Sequence, residues 1–503
     1  MLQNGRLMPP RGQAASFYLR RMDNFRLIRY MAKYTYRGDI HMKKLLTLCS
    51  LALTVALATP VFAEDPAGDW GGLLMGQLHI IIHVKKDDKS QYSATLESPD
   101  QGAFVLPADT VTAAPDHLAF AINKINGSYD GKWDEIKQAW IGTWTQGQAM
   151  PLTLKRLVDG KVVADAPKRP QEEAIAAGPL PYTSNEVIFD SVAGVKLAGN
   201  FSVPQGKGPF PAVVLIAGSG PHTRDEDVFG HKVFLVLADA LNHAGIAVLR
   251  YDKRGIGKST GDYAHATTTD FAADAKAAVS WLKTRPEVSS AHIGLIGHSE
   301  GGLITPAVAV HEPSVRFVVL MAGPGLPGDQ ILLMQQAAIA RADGQSDATI
   351  TTAAKLNKTA FDMIKTAESL DDAKAKAATM AAGLVAGGQM TQAQADAAFA
   401  AITTPWFYEF IRTDPRPMLE QVKVPVLAIN GGLDTQVPAK EDLAAIRDAL
   451  KNNADVTITE MPGLNHLFQT ATTGAPSEYL QIEETMSPVA LKTITDWVGA
   501  HSR

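Results

Sequence analysis

Residues 291–310 read AHIGLIGHSEGGLITPAVAV, and this stretch decides the fold. Ile293 to Ile296 is a short apolar run, which suits a buried strand. Gly297-His298-Ser299-Glu300-Gly301 follows without a spacer, and an apolar helical stretch leaves from Gly302. A strand entering G-x-S-x-G and a helix leaving it describe a nucleophile elbow. The tight turn strains the serine backbone and presents its hydroxyl at the sheet edge, and small flanking residues relieve the crowding. Ser299 is the candidate nucleophile. A purely structural strand–helix turn is the alternative.

A second G-x-S-x-G, Gly257-Lys258-Ser259-Thr260-Gly261, lies in RYDKRGIGKSTG at 250–261. Here the strand ends by Tyr251 and loop follows, so the elbow context is missing. The same stretch contains Gly-Lys-Ser, the tail of a phosphate-binding loop. That loop needs a glycine where Asp252 stands, and a carboxylate there repels phosphate.

Outward from Ser299 the pattern is α/β. AVVLIAG, IAVLRYD, IGLIGHS, FVVLMAG and PVLAING are near-continuous apolar runs, as expected of parallel strands buried on both faces. EVIFDS and VKLAGNFSVP read as an antiparallel pair opening the domain, and DVTITEMPG as a last strand. In DFAADAKAAVSWLKTR, Asp270 is the expected helix N-cap, with Phe271, Ala275, Ala278, Val279 and Leu282 on one face. An Ala/Gln/Met-rich helical stretch at about 327–415 interrupts the alternation and is expected to form a cap over the strands' C-terminal edge.

A serine hydroxyl needs a base and an acid that orients the base. VPVLAINGGLDTQVP places Asp434 just past one buried strand, and VTITEMPGLNHLFQ places His466 just past the next. Alone, Asp434 is a turn former and His466 an ordinary loop histidine. In the order Ser, Asp, His, each after a strand, they are the candidate acid and base. An oxyanion would need backbone N–H donors. Glu300, directly after the nucleophile, is one candidate. Ser219 in AGSGPHTRDED is the other, with a plain glycine turn as its alternative. Arg224, Asp225 and Glu226 in that loop either lock it by ion pairing or contact substrate.

GSGPHTRDED, YDKRGIGKSTGD, GHSEGG, NGGLDTQVP and LNHLFQ together resemble the α/β-hydrolase superfamily, specifically secreted bacterial carboxylesterases related to serine aminopeptidase-like and prolyl-oligopeptidase-like hydrolases. The likeness runs from about residue 183 to the C-terminus. It implies an α/β-hydrolase fold with an eight-stranded, mostly parallel sheet, a Ser299/Asp434/His466 triad, and no cofactor or metal. It also implies that Asp252, Arg254, Gly255, Gly257 and Ser259 form a turn shaping the site floor. It does not fix the substrate, because esterases, thioesterases, lipases and peptidases share the frame.

The N-terminal part reads differently. Residues 65–165 alternate short strand-like runs (QLHIIIHVKK, YSATLES, HLAFAI, PLTLKRL) with turn-like ones (KDD, SPDQG, NGSYDGK), as in a small all-β domain. Trp70, Trp133, Trp140 and Trp144 are concentrated there, as core residues or as a sugar-stacking face. Residues 166–182, rich in Pro, Glu and Ala, read as a linker, and 183–503 as the hydrolase domain. Residues 42–63, MKKLLTLCSLALTVALATPVFA, have the lysines, apolar core and small-residue end of a signal peptide, with a membrane anchor as the alternative. Residues 1–41 are then expected to be an upstream extension from a misassigned start, with translation beginning at Met42; N-terminal sequencing decides. The formal charge of −5 becomes −13 once residues 1–63, net +8, are set aside. That balance argues against nucleic acid or anionic membranes as partners. The only cysteine, Cys49, falls in the expected signal, so the remainder suits an oxidising periplasm or the exterior.

The expected activity is hydrolysis of a small carboxylic ester, with Trp406 and Phe407 of PWFYEF over the acyl group or simply packing the cap. The alternatives are an aminopeptidase or acyl-peptidase holding a free amine with Glu368 or Glu409, and an inactive glycan-binding protein. Oligomeric state is not legible.

Overall fold

The computed structural model describes residues 65–502 apart from 75–77, 99–104, 136, 147, 159–160 and 163–167. The expected upstream extension, signal peptide and Cys49 lie outside the described residues. Among the described residues no helix is long and apolar enough to cross a membrane.

Between Gly68 and Val162 ten strands form one antiparallel sheet. Most pair with their neighbours in sequence, and the first, Gly68–Leu74, also pairs with the ninth, Gln148–Val158. Alternate residues turn inward, as a pleated strand requires. Trp70, Trp140 and Trp144 are at most 1% exposed and fill the core, with Trp133 packed edge-on against Trp70 and Trp140. NGSYDGK, expected as a turn, corrects to strand: Gly127–Asp134 pairs on both sides. Its glycines are there for space. The Tyr129 ring lies across the sheet, and a Cβ on Gly131 or Gly142 would sit 2.3 Å from its hydroxyl or 2.6 Å from its ring.

The expected linker has structure of its own. It contains a helix, Pro170–Ala177, begun by a proline whose missing N–H costs nothing at that position. Arg169, just before it, donates to the carbonyls of Phe229, Gly230, Leu480 and Ile482. Gln171 and Glu172 bond the backbone of Thr485, Met486 and Lys232. These side-chain bonds dock it.

The second sheet comprises β1 (Tyr182–Asp190), β2 (Lys196–Pro204), β3 (Phe210–Ile216), β4 (Ala247–Tyr251), β5 (Val288–His298), β6 (Val315–Met321), β7 (Val426–Gly431) and β8 (Val456–Met461). Their order across the sheet is β1-β2-β4-β3-β5-β6-β7-β8. β1 and β2 are antiparallel, β2 meets β4 antiparallel, and the remaining pairs are parallel. Ala212, Val214 and Ile216 of β3 feed the core on one face, and Val213 and Leu215 the core on the other. Two covered faces explain why these runs are continuously apolar.

Helices α1 (Val233–His243), α2 (Thr268–Leu282) and α3 (Glu300–His311) connect the central strands. The predicted apolar face of α2 is buried. Asp270, expected as its N-cap, is instead its third residue. Its carboxylate reaches back to the N–H of Thr267, which takes the N-cap position. After β6 come six consecutive helices without a strand: the short Arg416–Leu419, which directly precedes β7, and before it α4 (Gly328–Ala342), α5 (Asp347–Lys365), α6 (Leu370–Ala386), α7 (Gln392–Ile402) and α8 (Pro405–Phe410). They have apolar cores of their own, around Phe361, Ile364, Phe407 and Ile411, and around Ala377, Ala395 and Phe399. The parallel strands end at one edge, where open α/β sheets carry their ligands.

Candidate active site

β5 ends at His298, and Ser299 is the turn residue before α3. Its φ of 51° and ψ of −119° are unfavourable for a residue with a side chain, at a cost of about 1–3 kcal/mol. Packing holds it there. A Cβ on Gly297 would lie 2.0 Å from the Gly301 carbonyl, and one on Gly301 2.0 Å from the Ile216 carbonyl. These two positions accept glycine alone, so strand and helix can approach only with this sequence. Ser299 N–H donates to the Met321 carbonyl at the end of β6.

The loop after β7 carries Asp434 and the loop after β8 carries His466. His466 Nδ1 lies 2.7 Å from Asp434 Oδ2, with both side chains nearly inaccessible. Asp434 Oδ1 accepts the Gln436 and Val437 N–H groups at 2.7 and 2.8 Å. The carboxylate is thus fixed from behind, and with the Nδ1 proton shared with it, Nε2 is left as the basic nitrogen. The His298 ring packs on His466 with centroids 4.7 Å apart, which brings the nucleophile's neighbour against the base.

Three charged groups hold the site together: Glu226, expected either to pair or to contact substrate, and His298 and Lys253, to which sequence reasoning gave no role. His298 Nε2–H donates to the His466 carbonyl at 3.0 Å, and Nδ1–H to Glu226 Oε1 at 3.0 Å. Glu226 Oε1 also accepts the Gly218 N–H at 2.6 Å. Burial alone would push the His298 imidazole down, but the Glu226 charge and the hydrogen bonds to both acceptors raise it overall. Burial would push Glu226 up, and the His298 charge, with the Gly218 N–H, holds it below its ordinary value. The pair is an imidazolium and a carboxylate, both buried, joining the elbow, the base loop and the loop after β3. The third group is Lys253, bonded to Glu300 Oε2 at 3.0 Å. Signals existed: His298 is inside the elbow motif, Glu226 in the charged run and Lys253 in YDKRG. Sequence alone does not pair them.

The remaining charges of HTRDED lock the loop. Arg224 donates to both oxygens of Asp252, and Asp225 is ion-paired with Arg250. Asp442, at the start of the helix after Asp434, is a further buried carboxyl. Burial, with Asp434 nearby, pushes it up to about 8, and one of its oxygens accepts the Gly325 and Leu326 N–H groups.

Of the other expected site residues, Ser219 lies in the loop after β3, beside Gly218, where a Cβ would come 3.0 Å from Ser299 Cβ. Glu300 begins α3, and its carboxylate is 1% exposed. Trp406 of the cap donates its indole N–H to Glu300 Oε1 at 2.6 Å. Phe407 is buried within the cap, 5.6 Å from the Phe361 ring centroid, as in the second of its two readings, packing of the cap. Ser259 is a structural residue. Its hydroxyl accepts the Ala198 N–H at 2.9 Å and donates to the Asp252 carbonyl at 2.7 Å. Ser259→Ala is therefore expected to cost about 1–3 kcal/mol in urea unfolding while leaving most hydrolytic activity. Loss of activity in folded protein would contradict this assignment.

The family model of X-Pro dipeptidyl-peptidase (S15 family) matches residues 193–462. Esterase EstD of Thermotoga maritima is 28% identical over 286 residues, 57% of this chain and 61% of that one. Thiohydrolase apmlB of Arthrinium phaeospermum is 30% identical over 148 residues, 29% of this chain and 44% of that one. The chain thus spans less than two thirds of either relative. Among solved structures, the Pyrococcus furiosus esterase Pf2001 is 16% identical, with a TM-score of 0.40, covering 64% of this chain and 92% of that one. The α/β hydrolase GrgF from Penicillium is 19% identical, with a TM-score of 0.40, covering 64% of this chain and 99% of that one. The matched span runs from the opening hairpin to just before His466, more than half of the chain, and includes Ser299 and Asp434: this protein belongs to the X-Pro dipeptidyl-peptidase (S15) family, within the α/β-hydrolase superfamily.

Proposed function

We propose that the protein hydrolyses small carboxylic esters through a Ser299–His466–Asp434 triad and an acyl-enzyme. His466 Nε2 takes the Ser299 hydroxyl proton as Oγ attacks the ester carbonyl. The Ser219 and Glu300 N–H groups stabilise the oxyanion. The carbonyl re-forms, the C–O bond to the alcohol breaks, and His466 returns the proton to the leaving alcohol. Water then repeats the sequence, releasing acid and free Ser299. The observation that carries this reading is the buried Asp434–His466 pair packed against the residue preceding a strained elbow serine.

The family match and the esterase relative pull toward different bonds, peptide and ester. A peptidase acting at a free N-terminus needs a carboxylate for the ammonium group. Glu409 Oε1 accepts from the N–H and hydroxyl of Thr269 at the start of α2, and Glu368 is exposed. Both residues singled out for that task are thus spent or out of place, which supports the ester. The test compares p-nitrophenyl acyl esters of graded length with X-Pro p-nitroanilides. Higher kcat/KM on the esters is expected; preference for the anilides would replace this proposal with a peptidase.

A further inference from the structure

Lys253 is buried, and its ammonium has two polar partners. Nζ donates to the Gly218 carbonyl at 2.6 Å and to Glu300 Oε2 at 3.0 Å. It also stands 4.1 Å from the centroid of the Phe271 ring. Its side chain is 5% exposed and that of Glu300 1%. Isolated surface pairs contribute little, but a cation and an anion withdrawn from water must be well fixed to be tolerated.

The fixing extends to the backbone. The Gly218 carbonyl and the Ser219 N–H belong to one planar peptide unit, so what holds the carbonyl sets the direction of the N–H. A cation on the carbonyl oxygen also draws electron density from the amide and strengthens its N–H as a donor. The preceding amide is held too, since the Gly218 N–H donates to Glu226. On the next peptide, the Ser219 carbonyl lies 2.7 Å from His222 Nε2. The loop's peptides are therefore held by charged or polar side chains at three successive groups. Lys253 is the one that grips the unit carrying the Ser219 N–H. Its counter-charge, Glu300, is the residue whose own N–H is the second oxyanion donor, and Glu300 Oε1 is occupied by Thr268 and Trp406.

We infer that Lys253 is a positioning residue of the oxyanion hole, acting through the Gly218 carbonyl to aim and polarise the Ser219 N–H. The inference rests on the hydrolytic reading proposed above and adds a residue to it. Lys253 touches no reacting atom. It prepares a donor whose value lies in binding charge that develops only in the transition state.

The test uses the full chain and the variant Lys253→Met, which keeps the stem and removes the cation. kcat is measured per active site titrated with a fluorophosphonate, alongside KM for a p-nitrophenyl ester and the affinity of a phenylboronic acid, which forms a tetrahedral anionic adduct. Loss of a direct oxyanion donor lowers kcat about 10²–10³-fold. An indirect effect through one peptide is expected to lower kcat about 10–100-fold. KM should stay within about twofold, since ground-state binding is not what the donor serves. Boronate affinity should fall in parallel with kcat. Because Lys253→Met leaves Glu300 buried without its cation, the double variant Lys253→Met/Glu300→Gln, which removes both charges, is measured as well and is expected to show the same kcat loss. Unchanged kcat per titrated site, or a kcat loss without loss of boronate affinity, in whichever variant folds, overturns the inference while leaving the esterase reading intact. Failure of the wild type to hydrolyse esters or react with the fluorophosphonate removes that reading and this one together.

Discussion

Ser299→Ala is expected to lower kcat/KM for p-nitrophenyl esters by about 10⁴-fold or more, with folding preserved. On the proposed mechanism the size follows from the division of labour. The Asp434–His466 pair is held by buried hydrogen bonds whether or not a hydroxyl is present, but without one there is no atom to acylate. The residual rate comes from the oxyanion donors and from binding. Removing the hydroxyl also leaves the backbone strain of the elbow in place, since an alanine has the same Cβ, so stability should change little. Initial rates on purified variant, with urea unfolding as the control for fold, check this. Substantial residual activity would move the nucleophile elsewhere, and the behaviour of Ser259→Ala would show whether it had moved to the other G-x-S-x-G.

The largest effect on stability is expected at Glu226. Glu226→Ala leaves the His298 imidazolium buried without its anion and the Gly218 N–H without its acceptor. Breaking one side of a buried ion pair costs about 3–5 kcal/mol. The cost should depend on pH in a defined sense. The folded pKa of His298 is raised above its ordinary 6.5, so its stabilising contribution is complete below 6.5 and is lost as pH rises through the folded value. The folded pKa of Glu226 is depressed below 4.5, so its contribution is complete above 4.5 and is lost as pH falls through the folded value. The difference between wild type and variant should therefore be greatest between about 4.5 and 6.5 and shrink on both sides. Urea unfolding at pH 5.5 and at pH 9.5 measures it. A difference that is flat, or that grows toward alkaline pH, would mean the pair is not ionised as described.

What was legible in the sequence was what burial writes into it. The hydrolase strands announce themselves because both faces are covered, and the elbow because its glycines permit contacts that no Cβ would allow. Asp434 and His466 could be found because each sits one loop beyond such a strand. The misses share a cause, that contacts between distant residues leave no local trace. Gly127–Asp134 looked like a turn because of its glycines, of which Gly127 makes room for the Trp144 ring of the neighbouring strand. Phe407 packs against Phe361, far away in sequence, a contact that no local pattern shows. The ion pairs Glu226–His298 and Lys253–Glu300 span 72 and 47 positions, so neither partner reveals the other.

The helix Pro170–Ala177 sets where the hydrolase can be separated from what precedes it. Arg169 alone holds four carbonyls from two distant loops, and Gln171 and Glu172 fasten the segment before the C-terminal helix. A recombination event that exchanged the N-terminal module by joining at residue 182 would carry these anchors away and bare the backbone groups they satisfy. Shuffling of this module, whether by evolution or by an engineer, has its workable seam upstream of Arg169.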